Sequence, residues 1–205
     1  MLKIEQFLVG QMDNFTYAII DEKNRKSIIV DPSWDLEAIF DFLGKNKIEI
    51  TFIINTHSHF DHVLGNDQVV KRTCAKIIQH KRSPLKKDIE VNDGESIKFG
   101  DSEIKIIHTP GHSGDSICLI IDDKMLLTGD TLFVGSCGRL DLQGSDPNEM
   151  YYSIYNKLIN LDGNLIVYPG HHYGNTKTST LGKEKSTNFV FKFHNIQDFL
   201  NFMDR

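Results

Sequence analysis

The sequence predicts an α/β fold in which two β-sheets pack face to face under helices. Two observations predict it. Short apolar strands come in runs, with single amphipathic helices between the runs, which suits two packed sheets better than a doubly wound parallel sheet. The chain is 205 residues long, 40% hydrophobic and 25% charged, which is ordinary globular composition; one domain over residues 1–205 is expected.

Lys3–Val9 and Phe15–Ile20 alternate as two strands around a turn at Gly10–Asn14. Lys26–Val30 is a third strand, stopped at Asp31-Pro32 because proline cannot donate to a ladder. Asp35–Lys45 carries Leu36, Ile39, Phe40 and Leu43 as a helical stripe, with Gly44 near its end. Ile50–Ile54 reads as a buried strand, and the pattern Val63–Arg72 as a helix. Ala75–Gln79 is a short strand, and the charged, irregular stretch from Lys81 to Gly94 reads as a loop. Ser96–Phe99 pairs with Glu103–His108 through Gly100-Asp101, and Ser116–Ile121 with Lys124–Thr128 through Asp122-Asp123. Asp146–Leu161 is an amphipathic helix with Asp146 as N-cap and Pro147 in its first turn. Asn164–Tyr168 is the last clear strand, and Ile196–Met203 a C-terminal helix. The total is about ten strands and four or five helices.

Composition excludes several function classes. Net charge is −5 and no dense basic patch exists, so nucleic acid is not an expected partner. Cys74, Cys118 and Cys137 have no paired spacing, so no disulfide framework is expected, and Cys118 reads as a small buried hydrophobe. Charges interrupt the N-terminus too early for a signal peptide, and no apolar run approaches the ~18 residues of a membrane span. A cytoplasmic protein without a membrane partner is the expectation.

The chemistry lies at strand ends. Thr56-His57-Ser58-His59-Phe60-Asp61-His62 follows the Ile50–Ile54 strand. Ile104–Ile107 leads into His108-Thr109-Pro110-Gly111-His112, Met125–Leu127 into Thr128-Gly129-Asp130, and Leu165–Val167 into Tyr168-Pro169-Gly170-His171-His172. Glycine and proline allow tight turns there that aim a side chain inward. Together they supply His57, His59, Asp61, His62, His112, Asp130 and His171, enough for two metal ions sharing one carboxylate and one water. Neutral imidazole and carboxylate suit zinc, iron or manganese, and the absence of cysteine ligands argues against a closed structural zinc site. His57 and His59 can point to one side of an extended segment, while Asp61 and His62 can turn toward a second ion. Two ions ~3.5–4 Å apart activate a bridging water near neutral pH. The remaining histidines read as ordinary residues: His80 and His194 as core or surface, His108 as the end of a strand, His172 as a supporting or exposed group.

The full series, H-x-H-x-D-H followed by Pro-Gly-His, Gly-Asp-Thr and Pro-Gly-His, resembles the metallo-β-lactamase-fold superfamily and, within it, the glyoxalase II (hydroxyacylglutathione hydrolase) branch. The resemblance runs from Gly10–Pro32 through Ser186 and implies a four-layer α/β/β/α sandwich of two mixed sheets with helices on both outer faces. By that resemblance His57, His59 and His112 hold the first metal, Asp61, His62 and His171 the second, and Asp130 bridges. Two divalent ions are implied, zinc first, with iron or manganese accepted by the same donors. A bridging hydroxide, oriented by Asp61, would attack a thioester carbonyl of a small, possibly glutathione-linked, substrate. Arg139 matches a basic residue that contacts glutathione in that branch, with an ion pair to Asp141 as its structural alternative. Tyr173 matches a substrate-contacting tyrosine, or else packs in the pocket wall. Only 34 residues follow His171, too few for the helical domain that completes the glutathione site of glyoxalase II proper. The segment Ser179–Asn188 is similar to the tail of short glyoxalase II-like hydrolases, with Phe189 where a proline is common. Cys137-Gly138-Arg139-x-Asp141 also occurs in persulfide dioxygenases, whose single iron is held by the equivalents of His57, His112 and Asp130. Two functions therefore stand: thioester hydrolysis, or oxidation of glutathione persulfide.

Overall fold

A computed structural model describes residues 1–203. Its first sheet has the order β1-β2-β3-β4-β5-β6, formed by Lys3–Val9, Asn14–Asp21, Lys26–Val30, Glu49–Ile54, Lys76–His80 and Ile89–Val91. Here β1–β3 are antiparallel and β3–β6 parallel. The second sheet runs β12-β11-β10-β9-β8-β7. Its strands are Ser96–Phe99 (β7), Ser102–His108 (β8), Ile117–Ile121 (β9), Met125–Gly129 (β10), Ile166–Pro169 (β11) and Ser179–Thr180 (β12). Only β10 and β11 are parallel. Both sheets are mixed, as the fold class requires.

Three apolar cores define the layers. Phe15, Tyr17 and Ile19 of β2 face Ile117, Leu119 and Ile121 of β9 in a core between the sheets. The alternate residues Ala18 and Ile20 join Ile39 and Leu43 of helix α1 (Glu37–Lys45) and Val69 of α3 (Asn66–Thr73) in a second core. Cys118 and Ile120 join Met150 of α4 (Pro147–Tyr152), Leu181 of α5 (Leu181–Thr187) and Phe199 of α6 (Ile196–Met203) in a third. These strands read as continuous apolar runs because their period of two alternates between two cores rather than between core and water. Truncating a residue such as Leu119, fully buried, to alanine costs about 2–5 kcal/mol by this logic.

Several elements differ from expectation, each for a local reason. The Val63–Arg72 helix is two pieces, α2 (Phe60–Val63) and α3, because Gly65 N–H donates to Pro32 O (3.1 Å) between them. Asp61 and His62 sit in this short helical turn rather than in a loop ahead of the helix. The Lys81–Gly94 stretch contains β6, which pairs Ile78 with Ile89; three residues are too few to show periodicity. Asp146 caps α4 as expected, accepting from the N–H groups of Asn148 and Glu149. Past Tyr152 the helix widens into a π-helical turn, Ser153–Lys157, then tightens over Leu158–Asn160. The Ser179–Asn188 segment supplies β12 and α5, the latter capped by the Thr180 hydroxyl. Among the described residues, no helix is long and apolar enough to cross a membrane.

Candidate metal centre

Four loops meet where the two sheets approach, after β4, β8, β10 and β11. Backbone bonds tie them together: Ile117 N–H donates to Thr56 O (2.8 Å), Gly170 N–H to Gly129 O (2.8 Å), and Phe15 N–H to Gly170 O (2.8 Å). Close approach requires glycine at Gly170, where a Cβ would lie 2.2 Å from Asp130 Oδ1.

All seven residues from the strand-end motifs converge. His57 Nε2 and His112 Nε2 lie 3.1 and 2.9 Å from His59 Nδ1. Across the site, His62 Nε2 is 3.1 Å from His171 Nε2, and both are 3.4 Å from Asp61 Oδ2. Each trio could hold a metal ion. Asp130 stands between them: Oδ2 lies 3.5 Å from His112 and 3.3 Å from His171, and Oδ1 3.4 Å from His62. Six of the seven are buried, and His59 is partly exposed at the mouth.

The outward ring nitrogens show why the inward ones are donors to a cation. His112 Nδ1 faces Arg139 O (2.9 Å), His171 Nδ1 faces Met12 O (2.7 Å), and His62 Nδ1 faces an Asp31 carboxylate oxygen (3.0 Å). His57 Nδ1 faces the Thr56 hydroxyl (3.1 Å), which itself donates to Asp31 (2.6 Å). Every partner is an acceptor, so the outer nitrogen of each ring keeps a proton, and the inner nitrogen is left to offer a lone pair to a cation when one is bound. Imidazole lone pairs facing each other at about 3 Å repel unless a cation lies among them. Asp130 Oδ1 is also buried without a hydrogen-bond donor among the described residues. The donor set fits divalent metal ions.

The electrostatics agree. Burial would raise Asp61, but hydrogen bonds from His171 and His62 hold it below the usual carboxylate range. Asp130 is likewise low: desolvation is outweighed by the charge of His62 and by His171. Burial would lower His62 and His171, yet Asp130 and Asp61 raise both, with Asp31 adding to the rise at His62, and His171 reaches about 9. His57 is pushed well below its ordinary value by desolvation and by the charge of His62. The two carboxylates thus demand positive charge beside them, which bound cations supply.

The site opens into a cavity of about 620 Å³ lined by His59, Asp61, His112, Asp130 and His171 and by Met12, Phe60, Phe133, Arg139, Leu142 and Tyr173. Tyr173 stacks on His171 (centroids 4.6 Å apart) and packs edge-on against Phe133. Arg139 lines the rim with its fork already engaged: Nε and Nη2 each donate to Asp141, at 2.6 Å. His172 lies against Phe15 and outside the two trios, and His108 stacks on buried His80 at 3.9 Å. Three supporting residues escaped the sequence reading: Asp31, Thr56, and Asn14, whose amide donates to Asp61 Oδ2 (2.9 Å). Asp31 carried a signal, since it follows a strand and precedes a proline as the ligands follow theirs.

Residues 10–171 match the Metallo-beta-lactamase superfamily. The chain is 30% identical over 198 residues to the probable polyketide biosynthesis zinc-dependent hydrolase BaeB of Bacillus velezensis, covering 94% of this chain and 88% of that protein. It is 35% identical over 182 residues to the hydroxyacylglutathione hydrolase of Dictyostelium discoideum (84% of this chain, 66% of that one). Against the mitochondrial persulfide dioxygenase ETHE1 of Homo sapiens it is 30% identical over 178 residues (85% and 70%). The crystal structure of ETHE1 from Myxococcus xanthus superposes with a TM-score of 0.93 at 26% identity, covering 99% of this chain and 90% of that one. With a family match over most of its length, two mixed sheets and metal-binding histidine–aspartate clusters at the strand ends, the chain belongs to the metallo-beta-lactamase superfamily.

Proposed function

We propose that the protein, as one domain over residues 1–205, is a dinuclear metal-dependent hydrolase of thioesters of the hydroxyacylglutathione class. The observation that carries this reading is the completeness of both donor trios on either side of Asp130. His57, His59 and His112 would hold one ion, Asp61, His62 and His171 the other, and Asp130 both. The relatives described as a zinc-dependent hydrolase and a hydroxyacylglutathione hydrolase support hydrolysis, and zinc as the ion. Two bound divalent ions would polarise the thioester carbonyl and make water nucleophilic near neutral pH. The chain's own groups do the rest. Asn14 fixes the Asp61 carboxylate, which faces the cavity and orients the water. Buried outer partners keep the imidazoles in one tautomer. Tyr173 borders the substrate. In the net reaction the water oxygen joins the acyl carbon, the C–S bond breaks, and a proton ends on the sulfur.

The second reading is a mononuclear iron persulfide dioxygenase, favoured by the likeness to ETHE1 in sequence and in structure. Metal content of protein purified without added metal, with an S-lactoylglutathione hydrolysis assay, separates them. Two zinc-type ions per chain with hydrolysis is the expected result. One iron with oxygen uptake on glutathione persulfide would overturn it.

A further inference from the structure

Much of the cavity lining is apolar. Met12 and Phe60 belong to it and are both exposed, Phe60 to 64% and Met12 to 39%. Trp34 braces both: Phe60 packs edge-on against it at 6.2 Å, and the Gly10 turn leading to Met12 lies so close that a Cβ there would sit 2.3 Å from the indole. The rest of its apolar lining is Phe133, Leu142 and Tyr173, beside Ser136, Cys137 and Gln143. Exposed large side chains concentrated at one cavity mouth are unusual on a soluble surface and mark a binding site for an apolar group.

Charge is scarce in the same cavity. Among the described residues, and apart from the metal-ligand residues, Arg139 is the one charged residue in its lining. One of its two bidentate edges, Nε–Nη2, is taken by Asp141, whose charge offsets that of the guanidinium. A glycine carboxylate of glutathione would have to bind the remaining edge beside the Asp141 charge, or displace Asp141.

We propose that this pocket selects thioesters by an apolar acyl chain and an uncharged thiol portion, a reading that rests on the thioester hydrolysis proposed above and narrows its substrate away from glutathione itself. The acyl chain lies against Met12, Phe60, Phe133, Leu142 and Tyr173, and the ionised ends of a glutathione thioester meet only an Arg139 already paired with Asp141.

The test uses the metal-loaded protein and S-acyl-N-acetylcysteamine thioesters from acetyl to octanoyl, with S-lactoylglutathione beside S-lactoyl-N-acetylcysteamine. Hydrophobic transfer sets a ceiling of roughly fourfold per methylene, and kcat/KM is expected to rise at least about tenfold from acetyl to hexanoyl. Phe60→Ala with Met12→Ser should flatten that rise. Asp141→Asn, by freeing Arg139, should lower KM for S-lactoylglutathione while leaving the acetyl-to-octanoyl slope. Calorimetric binding of the thioether S-hexyl-N-acetylcysteamine, against its S-methyl homologue and S-hexylglutathione, reads the pocket without turnover. Hydrolysis that is flat with chain length, or a preference for the glutathione compounds in turnover or binding, overturns the proposal. Absence of all hydrolysis overturns the hydrolase reading instead, and the binding series then decides the pocket's selectivity by itself.

Discussion

The Asp31 carboxylate receives His62 Nδ1 at 3.0 Å and, through Thr56, also governs His57. One buried acid therefore orients a histidine of each metal trio. Asp31 adopts a left-handed backbone (φ 51°) at the end of β3 with its side chain turned inward, a conformation that aspartate and asparagine tolerate better than most residues.

Asp31→Asn should preserve that turn while removing the charge that holds both imidazole protons. Loss of such an outer partner commonly lowers metal affinity about 10–100-fold. Competition with a chelator, followed by metal counting, measures it; wild-type affinity would remove Asp31 from the metal centre.

Asp130→Asn should leave the fold intact, because the isosteric amide fits the same space. Metal content should fall below two per chain and turnover by orders of magnitude. Full activity in this variant would refute a shared bridging carboxylate.

Acid stability should depend on His80. Burial, then the charge of His108 stacked on it, depresses its pKa from 6.5 to about 4. The unfolded chain binds this proton more readily than the folded one. The stability contributed by neutral His80 is thus complete above about pH 6.5 and is lost as pH falls toward 4. Thermal melts of His80→Gln should show a shallower decline across that window than wild type; parallel declines would contradict the assignment.

Glu184 and Asn188 anchor α5 to the cavity wall. Glu184 accepts from Gly135 N–H (2.8 Å) and from the Asn188 amide (2.9 Å), which also donates to Phe133 O and Ser136 O. Asn188→Ala removes the side-chain partner of the Phe133 carbonyl and of the Val190 N–H and should cost about 1–3 kcal/mol in denaturant unfolding. It should also raise KM, since Phe133 and Ser136 line the cavity. Unchanged stability and KM together would show the anchor to be dispensable.

Much of the molecule was legible beforehand. Lys3–Val9, Lys26–Val30, Ser96–Phe99 and Ile196–Met203 match their expected bounds, because turns or breakers flank clear periodic runs. The short elements were not: β6, β12 and α5 owe their form to the strands and loops they dock against. The split of the helix after the histidine motif was hidden as well, since it depends on a bond from Gly65 to Pro32, far away in sequence.

The sequence by itself determined the donor types and their places at strand ends, because a local turn aims a local side chain. It also determined the two-sheet class, because strands alternating between two cores need apolar residues on both faces. The tertiary structure decided what joins across the chain. It placed Asp130 between the trios and Asp31 behind two histidines. It closed Arg139 onto Asp141 and gathered Met12, Phe60 and Tyr173 around one opening. Those relationships depend on distances between residues remote in the chain, and only packing of the two sheets sets such distances.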